Sequence, residues 1–183
     1  QRVDGRVGRG PRQGPVPIAN QWGVLHRVGR DRSGPLDSTR TNADGRFRMS
    51  YRLSGDTAAM YFATTSHGGI VYPTSPFRRE VVTGDDATIM VFDTTSGPVR
   101  IALAGRHVII GAPNENGRRP VGEVYDLEND STVTVIARDS VTPVWTTQIP
   151  ESATGFQLNS SGDLGAGGAS RRGSVVEVFV PVS

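Results

Sequence analysis

Hydrophobic and polar residues alternate with period two along much of this chain, and no helical period of 3.6 residues replaces them. Within residues 38–53 (STRTNADGRFRMSYRL), Phe47, Met49, Tyr51 and Leu53 alternate with Arg46, Arg48, Ser50 and Arg52. Asp44-Gly45, just ahead of that run, is a dipeptide that supplies positive φ to a tight primed turn. The stretch is therefore expected to form a β-hairpin with one face in a core and the other in water. Further strands are expected near residues 2–8, 20–28, 37–42, 58–65, 69–72, 78–82 and 87–93, because short apolar or alternating runs there end at turn-forming residues. A second series is expected near 99–103, 106–112, 121–128, 132–138, 143–149, 154–159 and 174–181, with turns at Asn116-Gly117 and Ser161-Gly162. Residues 160–174 carry so much Gly and Ser that a mobile loop is expected.

The expected fold class is all-β: two tandem antiparallel β-sandwich domains, residues 1–94 and 95–183. With 183 residues, two domains of roughly 90 can each bury a sandwich core. The 23 glycines and 12 prolines fit many short strands joined by tight turns. The boundary is expected in Asp93–Pro98 (DTTSGP), where the apolar run Thr88–Phe92 gives way to small polar residues. No run of residues approaches the roughly 20 apolar positions of a membrane-spanning helix.

The net charge is +2, and all 20 basic residues are arginine. Base composition alone can produce that preference. Arginine also keeps its charge at any relevant pH and pairs in a planar fork with carboxylates or phosphates, which suits fixed interfaces. The balance is too even for a nucleic-acid binder, where a concentrated basic patch is expected. Cysteine is absent, which excludes disulfides and thiolate metal sites from these residues. The chain opens at Gln1 rather than Met, the pattern of an exported protein whose signal peptide has been removed, so a periplasmic or extracellular location is expected.

Four segments together carry a family likeness: Val3-Asp4-Gly5-Arg6-Val7, Pro15-Val16-Pro17-Ile18-Ala19, Val24-Leu25-His26 and Thr39-Arg40-Thr41-Asn42-Ala43-Asp44-Gly45-Arg46-Phe47. They resemble the carboxypeptidase regulatory-like domain, a transthyretin-like (prealbumin-like) β-sandwich appended to many exported bacterial proteins. The resemblance covers residues 1–93, and T-x-T-x-x-D-G-x-F is its most specific part. Residues 29–38 (GRDRSGPLDS) look longer than the usual connection. The second half is only generically immunoglobulin-like. The resemblance implies an accessory module for folding, adhesion or assembly, without the peptidase activity of the family's name.

Candidate chemistry is sparse. His26, His67 and His107 lie about forty residues apart without a ligand-pair spacing, so no metal is expected. Ser66-His67 sets a hydroxyl beside an imidazole, but strand neighbours point to opposite faces and no G-x-S-x-G elbow accompanies them. Asp126, Glu128 and Asp130 alternate and could share a face for Ca²⁺, or form a solvated strand end running into an Asn-Asp turn. The aromatic residues Trp22, Phe62, Tyr72, Phe77, Phe92, Trp145, Phe156 and Phe179 are scattered singly, as core packing requires.

Arg46, Arg48 and Arg52 fall on one face of the expected hairpin, and Arg40 extends the stripe. These four are the candidate partner-binding residues: an anion-accepting ridge for an acidic protein or lipid headgroups, or a solvated face balanced by nearby carboxylates. The expected role is a non-catalytic structural or accessory subunit. It would dock through protein partners onto a larger assembly, such as the periplasmic face of a membrane complex, with no cofactor, nucleic acid or small-molecule substrate. A glycan- or calcium-binding module and a hydrolase using His67 and a serine are the alternatives.

Overall fold

The computed structural model describes residues 1–10, 14–157 and 168–183. The fold is all-β, with one short 3₁₀ turn at Gly84–Ala87 and no α-helix among the described residues. The chain divides into two compact units, Gln1–Asp93 and Thr94–Ser183.

In the first unit the strands are β1 (Arg2–Arg9), β2 (Val16–Pro17), β3 (Trp22–Val28), β4 (Ser33–Arg40), β5 (Arg46–Ser50), β6 (Met60–His67), β7 (Ile70–Pro73), β8 (Val81–Val82) and β9 (Thr88–Val91). They make two sheets. One has the order β4-β3-β6-β7; in the other, β1 is the hub that pairs with β2, β5, β8 and β9. Inward residues of both sheets form one buried cluster, including Val3, Val7, Phe47, Met49 and Ile89 from the β1 sheet and Leu25, Tyr61, Ala63 and Tyr72 from the other. Each fully buried side chain of this kind contributes about 1.5–3 kcal/mol, so this cluster sets the strand faces. Gly5 opposes Phe47, and a Cβ there would lie 2.3 Å from both the Phe47 ring and the Ala87 carbonyl oxygen. The glycine makes room for the aromatic ring.

Three expectations for this unit need correction. The β1 sheet is mixed rather than antiparallel: β1 runs parallel to β8 and β9. Parallel neighbours need a long crossover, and the four-stranded sheet lies between β1 and β9 in the chain. Secondly, β4 and β5 are not partners in one ladder, because β4 pairs with β3 and β5 pairs with β1. The turn between them is not primed either: only Gly45 has positive φ (71°), and Asp44 does not. Asn42 organises it instead, its Oδ1 accepting from Asp44 N (3.0 Å) and Arg46 N (2.9 Å), while Gly45 N donates to Asn42 O (3.0 Å). The strand then ends at Ser50, so Leu53 is 44% exposed instead of in the core. Thirdly, residues 33–38, expected in a long connection, belong to β4.

Arg27 faces inward from β3 and is 1% exposed. Its Nη2 donates to both Asp31 oxygens (2.8 and 3.0 Å) and to Ser54 O (3.0 Å), and Nη1 donates to Arg32 O (2.6 Å). Asp31 in turn accepts from Asp56 N (3.2 Å). One guanidinium thus ties the β3–β4 turn to the 54–56 segment. The Arg27 guanidinium, hydrogen-bonded to it, holds the Asp31 carboxyl at about 2 against the ordinary 3.8.

The second unit contains β10 (Asp93–Thr95, starting at the boundary), β11 (Ala102–Ile110), β12 (Val121–Glu128), β13 (Val133–Val135), β14 (Trp145–Gln148), β15 (Ala169–Arg172) and β16 (Val175–Val178). Its sheets are β10-β13, the ribbon β11-β12, and β14-β16-β15. The expected strands 99–103 and 106–112 merge into β11, with a bulge between Leu103 and Gly105. The ribbon's turn repeats the Asn42 device: Asn114 Oδ1 accepts from Asn116 N (3.0 Å) and Arg118 N (2.9 Å), and Gly117 has φ 72°. Of the expected strand 154–159, residues 154–157 are not strand and 158–159 lie outside the described residues. The expected loop 160–174 and turn Ser161-Gly162 fall partly or wholly outside them as well, but Ala169–Arg172 is strand. There, Gly173 (φ 63°) and Ser174 make a two-residue turn that folds β15 back on β16.

The Arg27–Asp31 pair predicts an acid signature. Because the folded carboxyl is depressed, its stabilisation is complete above the ordinary value and is lost as pH falls through about 2. Thermal melts of wild type and Asp31→Asn should therefore converge between pH 4 and 2; parallel curves would contradict this role. Independently, Gly5→Ala should cost about 1–3 kcal/mol in urea unfolding, since the core must move to admit a methyl group.

Candidate functional site

The outer face of the β1 sheet follows from alternation. Arg2, Asp4 and Arg6 project from β1 opposite Ser50, Arg48 and Arg46 of β5. Asp4 is clamped between two guanidiniums: Arg2 Nε lies 2.9 Å from one carboxylate oxygen, and Arg48 Nε donates to the other. Arg6 opposes Arg46, with Thr88 of β9 on the other flank of Arg6. No carboxylate forms an ion pair with Arg6 or Arg46 among the described residues.

This face is concave. A hollow of about 690 Å³ is lined by Arg6, Arg40, Arg46 and Arg48 together with Asp4 and Asp85, among others. Four cations against two anions leave its lining at +2. A smaller hollow of about 300 Å³ also borders Arg6 and Arg46. Arg40 is held in place by its neighbours: its Nη1 donates to Asn20 O (3.1 Å) and Oδ1 (3.0 Å), and its guanidinium sits 5.1 Å from the Trp22 ring centroid. Of the four arginines expected to form a ridge, Arg40, Arg46 and Arg48 thus border one concavity, whereas Arg52 lies past the end of β5 and outside the lining. Arg6 was missed. Its signal was the alternation of Arg2, Asp4 and Arg6 through the motif V-D-G-R-V.

The other candidates resolve into local structure. His26 stacks on Phe62 (5.3 Å between centroids), with Nε2 2.9 Å from Thr64 Oγ1. His67 Nε2 lies 3.2 Å from Asp93 Oδ1, which also faces Arg9. That imidazole, then the guanidinium, hold the Asp93 carboxyl below its ordinary value. His107 lies 3.5 Å from Asp126. Among the described residues no group of three or more His, Asp or Glu side chains could hold a metal ion. Asp126 and Glu128 alternate on β12, but Asp130 follows the end of the strand. The residue that organises this end is Asn129: its Nδ2 donates to Val133 O (2.7 Å) and Val182 O (2.8 Å), and its Oδ1 accepts from Ser131. Trp22 and Phe156, expected in packing, are 48% and 37% exposed.

A polar cluster in the ribbon had no sequence expectation. Arg106 donates to Glu123 (2.8 Å), the Tyr125 hydroxyl donates to the same carboxylate, and Trp145 meets the Tyr125 ring edge-on at 5.2 Å. The tyrosine hydroxyl, then the guanidinium, keep Glu123 ionised below its ordinary range, while burial pushes Tyr125 up. Several apolar side chains of the ribbon are exposed, most of them in its half nearer the turn. Leu103, Val108, Ile109, Ile110, Val121 and Val124 are each between 48% and 65% exposed.

Comparison with protein-family models, curated proteins and solved structures finds no match. The likeness of residues 1–93 to the carboxypeptidase regulatory-like domain rests on the motif residues alone.

Asn129 makes the end of β12 a hydrogen-bonded turn. Asn129→Ala should therefore cost about 1 kcal/mol in urea unfolding, because the Val133 and Val182 carbonyls each lose one of two donors while Ser131 Oγ and Val135 N still reach them. Millimolar Ca²⁺ should leave the wild-type melting midpoint unmoved; a saturable rise would reassign the acidic run.

Proposed function

We propose that this chain is a non-catalytic, exported structural or accessory module that docks onto a larger assembly, such as the periplasmic face of a bacterial membrane complex. Its architecture in this reading is two β-sandwiches in tandem, transthyretin-like and then immunoglobulin-like. Export and the family assignment are supported by the motif likeness in residues 1–93.

The partly exposed ribbon β11–β12 carries the docking role. A two-stranded hairpin is at best marginally stable in water without a sheet or partner over its apolar side. Here Leu103, Val108, Ile110 and Val121 stay largely exposed on the face that also carries Tyr125, with Ile109 and Val124 on the opposite face, and each ribbon strand pairs only with the other among the described residues. Unpaired strand edges with apolar flanks are what a partner strand completes, since main-chain hydrogen bonds supply affinity and side chains supply register. The arginine-lined concavity adds an orienting contact for an acidic partner surface, raising encounter rate more than affinity.

Gentle extraction from the native source should recover the protein with stoichiometric partners. Val108→Ser combined with Ile110→Ser, which share one face of the ribbon, should weaken that association by roughly tenfold or more, with little change in melting midpoint, because neither side chain is in the core. A partner-free monomer, or association untouched by the double substitution, would contradict the proposal.

A further inference from the structure

We infer that Arg6 and Arg46 form a binding seat for a doubly charged tetrahedral oxyanion, a phosphate group carried as an ester on a larger molecule. The inference concerns the first unit alone and does not rest on the docking ribbon.

Backbone pairing stands the two arginines, both exposed, directly opposite each other. Val7 N donates toward β5, to Gly45 O (2.8 Å), whereas Arg2 N donates to Glu80 O (2.9 Å) on the β8 side. Odd-numbered positions of β1 therefore spend their backbone groups on β5, and Arg6 and Arg46 are a non-hydrogen-bonded cross-strand pair. Such pairs stand at the closest Cα separation of an antiparallel ladder, about 4.5 Å, with side chains side by side. Like charges in that position repel. The neighbouring Asp4–Arg48 pair shows the usual remedy, a carboxylate opposite a guanidinium. Arg6 and Arg46 have no such remedy among the described residues. Asp4 is already engaged by Arg2 and Arg48, while Asp85 in the larger hollow and Asp44 in the smaller one form no ion pair with either arginine.

The missing neutraliser has a definable chemistry. A single carboxylate would leave one charge uncompensated, and two would repel each other. One phosphate dianion matches both charges and offers oxygens to two planar forks at once. The Arg40 guanidinium, pre-positioned on Trp22 and Asn20, supplies a third cation to the same hollow. The hollow opens to solvent and its lining runs past the arginine pair to Thr39 and Asp85, so a phosphate carried as an ester on a larger molecule is accommodated.

The test is a titration of the whole chain with inorganic phosphate, sulfate, glycerol 3-phosphate and acetate at constant ionic strength, read by backbone amide shifts and thermal midpoint. Phosphate, sulfate and glycerol 3-phosphate should each shift the amides of residues 4–8 and 44–48 saturably. The midpoint should rise by about 2–5 °C at saturation, with acetate far weaker. The phosphate ester should bind at least as tightly as inorganic phosphate. Arg6→Gln and Arg46→Gln should each weaken binding roughly tenfold or more, and Arg52→Gln should not. Without ligand, the same two variants should melt slightly higher than wild type at low salt, by about 1–3 °C, and this gain should vanish at high salt. Absence of saturable binding, equal binding by the Gln variants, or variants that melt lower without ligand would each overturn the seat. Loss of the seat leaves the docking proposal intact, and a partner-free monomer leaves the seat intact.

Discussion

The register of β1 against β5 governs both sides of the first unit at once. Because side chains alternate, pairing Gly5 with Phe47 sends Val3, Val7, Phe47 and Met49 inward and stands Arg6 beside Arg46 outside. A slip by one residue would bury arginines and expose the valines. The core therefore enforces an outer arrangement that electrostatics alone would not choose. The pairing of Arg6 with Arg46 is fixed by the burial behind it, although both side chains are exposed to screening by solvent.

Polar side chains do the remaining architectural work, each by satisfying backbone groups that packing leaves open. Asn42 and Asn114 each close a turn with one carboxamide oxygen that accepts two N–H groups. Thr41 Oγ1 donates to Ile18 O (2.6 Å) and accepts from Gln21 N (2.8 Å), tying the end of β4 to the segment before β3. Arg27 does the same at the opposite end with a charge, which needs Asp31 because an unpaired buried guanidinium would be costly. In T-x-T-x-x-D-G-x-F, several positions thus gain a physical role: Thr41 as tether, Gly45 at φ 71°, and Phe47 in the core over Gly5.

How much was legible follows from which forces are local. The all-β class could be read because period-two alternation reports burial on one face, as in Phe47 and Met49 against Arg46 and Arg48. Partner choice was not local: nothing in residues 38–53 says that β4 and β5 join different sheets, or that β1 takes parallel neighbours from residues 81–91. Ala169–Arg172 was hidden by glycine-rich surroundings, although Val175, Val176 and Val178 gave it a strand to fold against. At the concavity, three of the four arginines named from sequence do meet. Arg6 needed the β1–β5 register, and Arg27, although charged, needed Asp31 and Ser54 to be seen as an interior residue.

The chain contains no cysteine, so the register can be tested by a single engineered pair. Arg6→Cys with Arg46→Cys should close an intramolecular disulfide under mild oxidation, since directly opposed strand residues fall within the Cα separation of about 4.4–6.8 Å that the bond requires. Arg6→Cys with Arg48→Cys should stay reduced. Efficient closure of the second pair and not the first would contradict the register, and with it both the core assignment and the oxyanion seat.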